Sequence, residues 1–397
     1  MHPLVRRGSP LAFAVYPVLA MTAALVATLP SPSAQAQPQP FQARQPLFSV
    51  GWRMPLVDPP SVDWKPRERA GVVVSPKGGL LFAGSATGVS ALQTDDGKRL
   101  WHHKTTESVE SRPALWNGVV YAATLSGAVW ALDARNGEPV WEAPTKLDAA
   151  VQAPIAADDK QIYVAVAPSS LVALDRKTGK PAWRYNDETV REFLITGQSG
   201  ALVVGQQLWF GTASGKLVAL STRDGGVNWQ VSLDRPDHGP YADIDTTPVY
   251  VPRPDAKDRP GDWVLAASYN GGLFAVSAVD GAAIWQYPVE ALGQPIVAGG
   301  LVYAVSSNGE LHILDLATGK PMVTRKLDGA PSGTLAVLSS GLLLVPGELG
   351  LDAVSPRTGQ ASARAMTETG FSAAPTVVGD RVFAVSNGGV LYALSLR

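Results

Sequence analysis

Apolar and polar residues alternate along this chain in short runs, each ended within a few residues by turn chemistry. Gly127-Ala128-Val129-Trp130-Ala131-Leu132-Asp133 is one such run, with Val129 and Ala131 on one side of a pleated ribbon. Asp133 to Gly137 reads as a turn. An aspartate there can bond the backbone two residues on, and glycine takes positive φ without steric cost. Trp141 follows that glycine by four residues. The phrase recurs at Gly97/Trp101, Gly137/Trp141, Gly179/Trp183, Gly225/Trp229 and Gly281/Trp285; Gly319 and Gly359 then carry Val323 and Ala363 in the tryptophan's place. Successive glycines are 40, 42, 46, 56, 38 and 40 residues apart. A period near 40 marks a repeat architecture, whose unit cannot bury both its faces alone.

The unit from Arg112 shows the internal order. Pro113 to Leu115, Val119 to Thr124, Ala128 to Asp133 and Val140 to Ala143 read as four strands joined by hairpin turns. A ring of such sheets buries every face, with tryptophans filling the gaps between neighbours. The chain's ends supply the last unit. Asn387 to Ser395 is an eighth third strand with no fourth after it, and Val50-Gly51-Trp52-Arg53-Met54 is an orphan fourth strand. The expected fold is all-β: an eight-bladed β-propeller of four-stranded antiparallel blades, closed by the N-terminal strand, with seven blades as the alternative. Closure leaves the ring without an open end. The 56-residue interval holds an insertion, Pro252 to Asp262, proline-rich and charged, which reads as a solvated loop on one rim.

With 397 residues, 46% of them hydrophobic and 17% charged, the chain can bury a large core. Part of the apolar excess is a leader. Arg6-Arg7, the uncharged run Leu11 to Leu29 and Ala34-Gln35-Ala36 have the form of a secretory signal peptide spanning 1–36, with a retained membrane anchor as the alternative. Residues 37–47 read as a disordered lead-in and 48–397 as the propeller. Without Arg6 and Arg7 there are 31 basic against 34 acidic residues, a net charge of −3. No basic stripe is present, so nucleic acid is not an expected partner. The chain has no cysteine, hence no disulfide and no thiol to carry a lipid. A soluble periplasmic protein is expected.

Candidate chemistry is sparse. His102 and His103 are adjacent in a strand, where neighbouring side chains point to opposite faces, so the two cannot share a metal and read as surface positions. His238 and His312 are isolated. Asp95-Asp96, Asp133, Asp175, Asp224, Asp280 and Asp315 all fall at turns, where capping explains them. No nucleophile elbow, phosphate loop or metalloprotease helix occurs. Neither catalysis, a metal nor a cofactor is expected.

The phrase Leu171-Val172-Ala173-Leu174-Asp175-Arg176-Lys177-Thr178-Gly179-Lys180-Pro181-Ala182-Trp183 resembles the repeat of the pyrroloquinoline-quinone family of propellers. The family's dehydrogenases use adjacent cysteines, calcium ligands and a catalytic aspartate; this chain lacks the cysteines and shows no assignable carboxylate cluster. It is more similar to the BamB-type factors of the outer-membrane β-barrel assembly machinery, over essentially the whole chain after the leader. The likeness is sharpest at Asp243-Ile244-Asp245-Thr246-Thr247-Pro248-Val249, at Tyr269-Asn270-Gly271 and at Phe193-Leu194-Ile195-Thr196-Gly197-Gln198-Ser199. The resemblance implies a surface that docks on a periplasmic domain of the insertase BamA. Asp243 and Asp245 match its acidic pair, Phe193 and Ile195 its apolar contacts, and Thr196 stands where the family has arginine. From the residues alone, Asp243 and Asp245 are either exposed carboxylates awaiting a partner's Lys or Arg, or caps of a strand start. The implied function is a scaffold in outer-membrane protein assembly, with unfolded clients as further partners. The rival is a propeller that binds or senses a small ligand in its channel; a quinoprotein dehydrogenase comes last.

Overall fold

The computed structural model describes residues 48–58, 70–188, 198–235, 237, 239, 241–253, 261–327, 331 and 334–396. Their thirty-two strands, numbered β1 to β32 in chain order, form eight four-stranded sheets. Blade one runs from β2 (Val72–Val74) to β5 (Arg99–Lys104). Each later set of four makes the next blade, up to β29 (Ala361–Ala365) at the outer side of blade seven. Blade eight joins the two ends of the chain: β30 (Thr376–Val378), β31 (Arg381–Val385) and β32 (Val390–Leu396) are completed by β1 (Phe48–Pro55). β1 lies antiparallel to β32, pairing Val50 with Leu394 and Trp52 with Ala393 across a bulge at Gly51. The ring is eight-bladed and its N-terminal strand closes it; the seven-bladed alternative is overturned.

Leu81 and Phe82, neighbours in β3 (Leu80–Ser85), show why the ring is stable. Both are fully buried, but in different cores. Leu81 packs with Phe383 and Val385 of blade eight, and Phe82 with Val120 and Ala122 of blade two. Successive side chains of a strand point to opposite faces, so each second strand feeds two interfaces and reads as an unbroken apolar run. The buried side chains fall into eight such clusters, one between each pair of neighbouring blades.

The repeat tryptophans act between blades. Trp101 of blade one lays its ring on Gly137 of blade two and donates from Nε1 to Ala134 O at 3.1 Å. Trp141 docks on Gly179, Trp183 on Gly225, Trp229 on Gly281 and Trp285 on Gly319, each donating to the carbonyl three residues before its glycine at 2.9–3.2 Å. A Cβ on any of these glycines would sit 2.5–2.7 Å from the indole. Most of the turn aspartates cap as expected: Asp133 accepts from Arg135 N, Asp175 from Thr178 N and Asp315 from Thr318 N, whereas Asp95 pairs with Arg381 of blade eight at 2.7 Å.

One expected strand is displaced. Val140 to Ala143 is not extended ladder; the fourth strand of blade two is β9 (Thr145–Lys146). Val129 pairs with Thr145, whereas the equivalent Leu171 pairs with Tyr185. Relative to that register, blade two carries two extra residues between the turn and the strand. Pro144, which has no N–H to give a ladder, lies in the detour. Trp141 rides on it and is buried, 4% exposed.

Antiparallel blades sort their connections onto two faces. The loops between blades share a face with the turn between the second and third strands of each blade. Main-chain bonds stitch this face together: Ile244 N donates to Thr212 O, Tyr269 N to Asp243 O, Ala291 N to Tyr269 O and Ser307 N to Ala291 O, all at 2.7–3.1 Å. Leu56 N to Gly389 O, 2.8 Å, continues the stitching across the closure. The insertion after β18 (Val249–Val251) belongs to the opposite face. Its base is held by Tyr250 Oη on Asp262, by Arg253 N on Asp262 Oδ1 at 2.7 Å, and by the Arg253 guanidinium 3.7 Å from the Trp263 ring centre. Residues 254–260 of it, like the leader and lead-in, lie outside the described residues.

Candidate docking surface

Asp243 and Asp245 lie in the loop from β17 (Val227–Ser232) of blade four to β18 of blade five. Phe193, Ile195 and Thr196 fall in the preceding inter-blade loop, between β13 (Pro181–Asn186) and β14 (Leu202–Val204), and lie outside the described residues. The described end of that loop reaches the aspartate loop directly: Ser199 Oγ donates to Thr246 O at 2.9 Å and accepts from Gly211 N at 3.1 Å. The Tyr269-Asn270-Gly271 turn completes the neighbourhood. Ser268 Oγ donates to Ala242 O at 3.0 Å. Asn270, buried, donates from Nδ2 to Asp234 Oδ1 at 2.8 Å and to Arg235 O at 3.1 Å. The aspartate loop, the Tyr269–Gly271 turn and Ser199, the described end of the third segment, are thus neighbours on one face of blades four and five.

The two aspartates differ. Asp243 is 3% exposed, which overturns the expectation of two exposed carboxylates. Its flanking residues Ala242 and Ile244 are buried as well, and its main chain is held at Tyr269, so its side chain lies below the surface. Beside it a cavity of about 10 Å³, lined by Gln198, Ser199, Ala213 and Ile244 among others, has room for one water. Asp245 is half-buried. Burial pushes its carboxyl above the ordinary aspartate range; a backbone N–H opposes this, and the charge of Asp243 adds to it. Asp245 is therefore the carboxylate that reaches solvent. Tyr241, 37% exposed and edge-on to Tyr269 at 6.0 Å, is an aromatic neighbour that the sequence reading passed over.

The histidines do not gather. His102 meets Ser90 Oγ at 2.9 Å, and His103 stacks edge-on to Trp130 at 4.6 Å, on the opposite face of β5 and half-buried rather than fully at the surface. His238 lies outside the described residues. His312 is not isolated but buried between blades five and six, with Nδ1 3.0 Å from Tyr287 Oη and Nε2 3.1 Å from Ser306 Oγ. Ser306 gives its one proton to Asn308 Oδ1, so it accepts from Nε2–H, and Tyr287 donates to Nδ1. Among the described residues, no three His, Asp or Glu side chains are grouped to hold a metal ion.

Fold and repeat place the chain in the class of pyrroloquinoline-quinone-like eight-bladed propellers. Within that class, the family model described as outer membrane protein assembly factor BamB matches residues 49–146 and 86–325. The chain belongs to the BamB family. The Salmonella typhimurium protein named outer membrane protein assembly factor BamB is 30% identical over 335 residues, 80% of this chain and 82% of that one. The crystal structure of BamB from Moraxella catarrhalis superposes with a TM-score of 0.73 at 19% identity, covering 88% of this chain and 99% of that one. A quinohemoprotein alcohol dehydrogenase from Pseudomonas putida shares the fold at a TM-score of 0.71 and 13% identity, over 88% of this chain and 76% of its own.

Proposed function

We propose that this protein is a non-catalytic periplasmic scaffold in outer-membrane protein assembly, docking through the face of blades four and five on the periplasmic region of a BamA-type insertase. The leader, residues 1–36, would be removed on export. Without a cysteine, the mature chain would be held at the outer membrane by its partner rather than by a lipid. The observation that supports the reading is the buried Ser199–Thr246 bond, which ties the described end of the first family-like loop to the aspartate loop in a chain of the BamB family. Asp245 offers a carboxylate to a partner's Arg or Lys at the edge of that surface, and Phe193 and Ile195 supply an apolar anchor.

The test is capture of the purified chain by the insertase's periplasmic region. Asp245→Arg reverses the charge of the half-buried carboxylate and should abolish capture while leaving the circular dichroism spectrum unchanged. Capture equal to wild type would remove the docking assignment. Asp243→Arg is a poorer probe, since it forces a guanidinium into a buried position and threatens the fold itself.

A further inference from the structure

The first strands of these blades are short: β10 (Ala156–Ala157) has two residues, and β14, β18 and β22 (Ile296–Ala298) have three each. So few ladder bonds cannot by themselves fix the long loops that lead into them. Side chains take over. Gln294, in the loop entering blade six, accepts Thr247 N–H at Oε1 and donates from Nε2 to Thr247 O, both at 2.7 Å. A carboxamide carries a donor and an acceptor in one plane, as a peptide group does. Gln294 therefore pairs with Thr247 as a neighbouring strand residue would. Gln198 repeats the device two blades earlier. Its Oε1 accepts Gln152 N–H at 2.9 Å and Ala153 N–H at 3.4 Å, and its Nε2 donates to Ala150 O at 3.0 Å. Ser199 spans the blade between them. The inter-blade loops entering blades three, four, five and six are thereby tied in series by Gln198, Ser199 and Gln294.

We infer that Gln198 and Gln294 are positioning residues of the docking surface. Neither needs to touch the partner; they clamp neighbouring inter-blade loops into one platform, so that Asp245, two residues before the clamped Thr247, is presented from a fixed backbone. A preorganised surface binds without first ordering its loops, and that saving appears as affinity. The inference rests on the docking assignment for its functional half and stands alone for its structural half.

Three variants of the full mature chain separate the two halves, measured by amide hydrogen exchange, melting and titration with the insertase's periplasmic region. Gln294→Met keeps length and loses both hydrogen bonds; Gln294→Asn keeps the amide but falls one methylene short. Both should speed exchange of the Thr247 amide about tenfold or more and weaken binding about tenfold, with a melting temperature within about 2 °C of wild type, because no core contact changes. Unchanged Thr247 exchange in both variants would overturn the clamp. Faster exchange with wild-type affinity, while Asp245→Arg abolishes binding, would overturn the positioning role and leave docking intact. If Asp245→Arg still binds as wild type, the docking assignment falls and the exchange result alone decides the clamp.

Discussion

Trp52 lies on Gly97, its Nε1 donating to Thr94 O at 2.8 Å, and this joins blade eight to blade one. The contact is the inter-blade tryptophan dock seen elsewhere in the ring, made here by a strand that comes from the opposite end of the chain to the other three strands of its blade. β1 thus closes the ring twice, by its ladder with β32 and by its indole. Truncation of residues 48–57 removes both and should lower the melting temperature steeply. Trp52→Ala leaves the ladder and loses only the dock, at a cost of about 3 kcal/mol in denaturant unfolding. A truncated chain that melts like the full one would show that β1 is ornamental.

The receiving glycine is constrained twice, by φ of +72° and by the indole where a Cβ would stand. Gly205 has a similar φ, +61°, with nothing within 4 Å of its Cβ position. Gly205→Ala should therefore cost only the left-handed strain, about 1 kcal/mol, and Gly97→Ala clearly more. Equal losses in the two variants would mean that the indole yields freely.

Two interfaces lack the dock, for different reasons. Blade six presents Val323 to blade seven, where Gly359 is waiting but is covered by the Arg325 side chain, its Cδ 3.0 Å from the Cβ position. Blade seven presents Ala363 to blade eight, whose third and fourth strands come from opposite chain ends. No turn joins them, so no turn glycine exists to receive an indole. Val323→Trp should displace Arg325, dock on Gly359 and stabilise by about 1 kcal/mol; Ala363→Trp should not stabilise. Melting curves of the two variants check this, and a gain from Ala363→Trp would refute the account.

The sequence made the blades legible because turn glycine, turn aspartate and period-2 apolar runs are local signals. It also placed the tryptophans between neighbouring blades, but it did not reveal that each docks on the next blade's turn glycine, since that contact depends on a residue some 40 positions away. The strand over Val140–Ala143 was misplaced because Pro144 and two extra residues alter a register that periodicity alone assumes. For Asp243 the residues alone left an exposed carboxylate and a strand cap both open; its burial follows from Ala242, Ile244 and the Tyr269 main chain, which no motif encodes. Gln198 and Gln294 were invisible as clamps because a glutamine in a loop has no pattern until its partner is seen.

His312 makes stability depend on pH. Burial lowers its pKa below the ordinary histidine value, partly opposed by Glu310. The unfolded chain then binds the proton more readily than the folded one, so the stability this site contributes is full above the unfolded pKa of about 6.5 and falls as pH drops below it. Protonation also turns Nδ1 into a donor facing Tyr287 Oη, whose proton must turn away. Unfolding free energy should decline between pH 7 and pH 5 in the wild type and decline less in His312→Gln. Parallel pH profiles would rule out this residue as the cause.

Asp245 carries the opposite sign. Its pKa is raised, first by burial and further by the charge on Asp243, so the folded state binds the proton more tightly than the unfolded one. The site favours folding below the ordinary aspartate value of 3.8, and this is lost as pH rises through the raised folded pKa. The loop is thus held against an electrostatic cost at neutral pH, a cost that a partner's guanidinium or ammonium group would offset on docking. Asp243→Asn removes one cause and leaves burial in place. In a carboxyl NMR titration the Asp245 midpoint should fall in that variant yet stay above 3.8. A midpoint that does not move would mean that Asp243 is not a charged neighbour of Asp245 in the folded protein. The carboxylate then meeting a partner would be a single one, raised by burial alone.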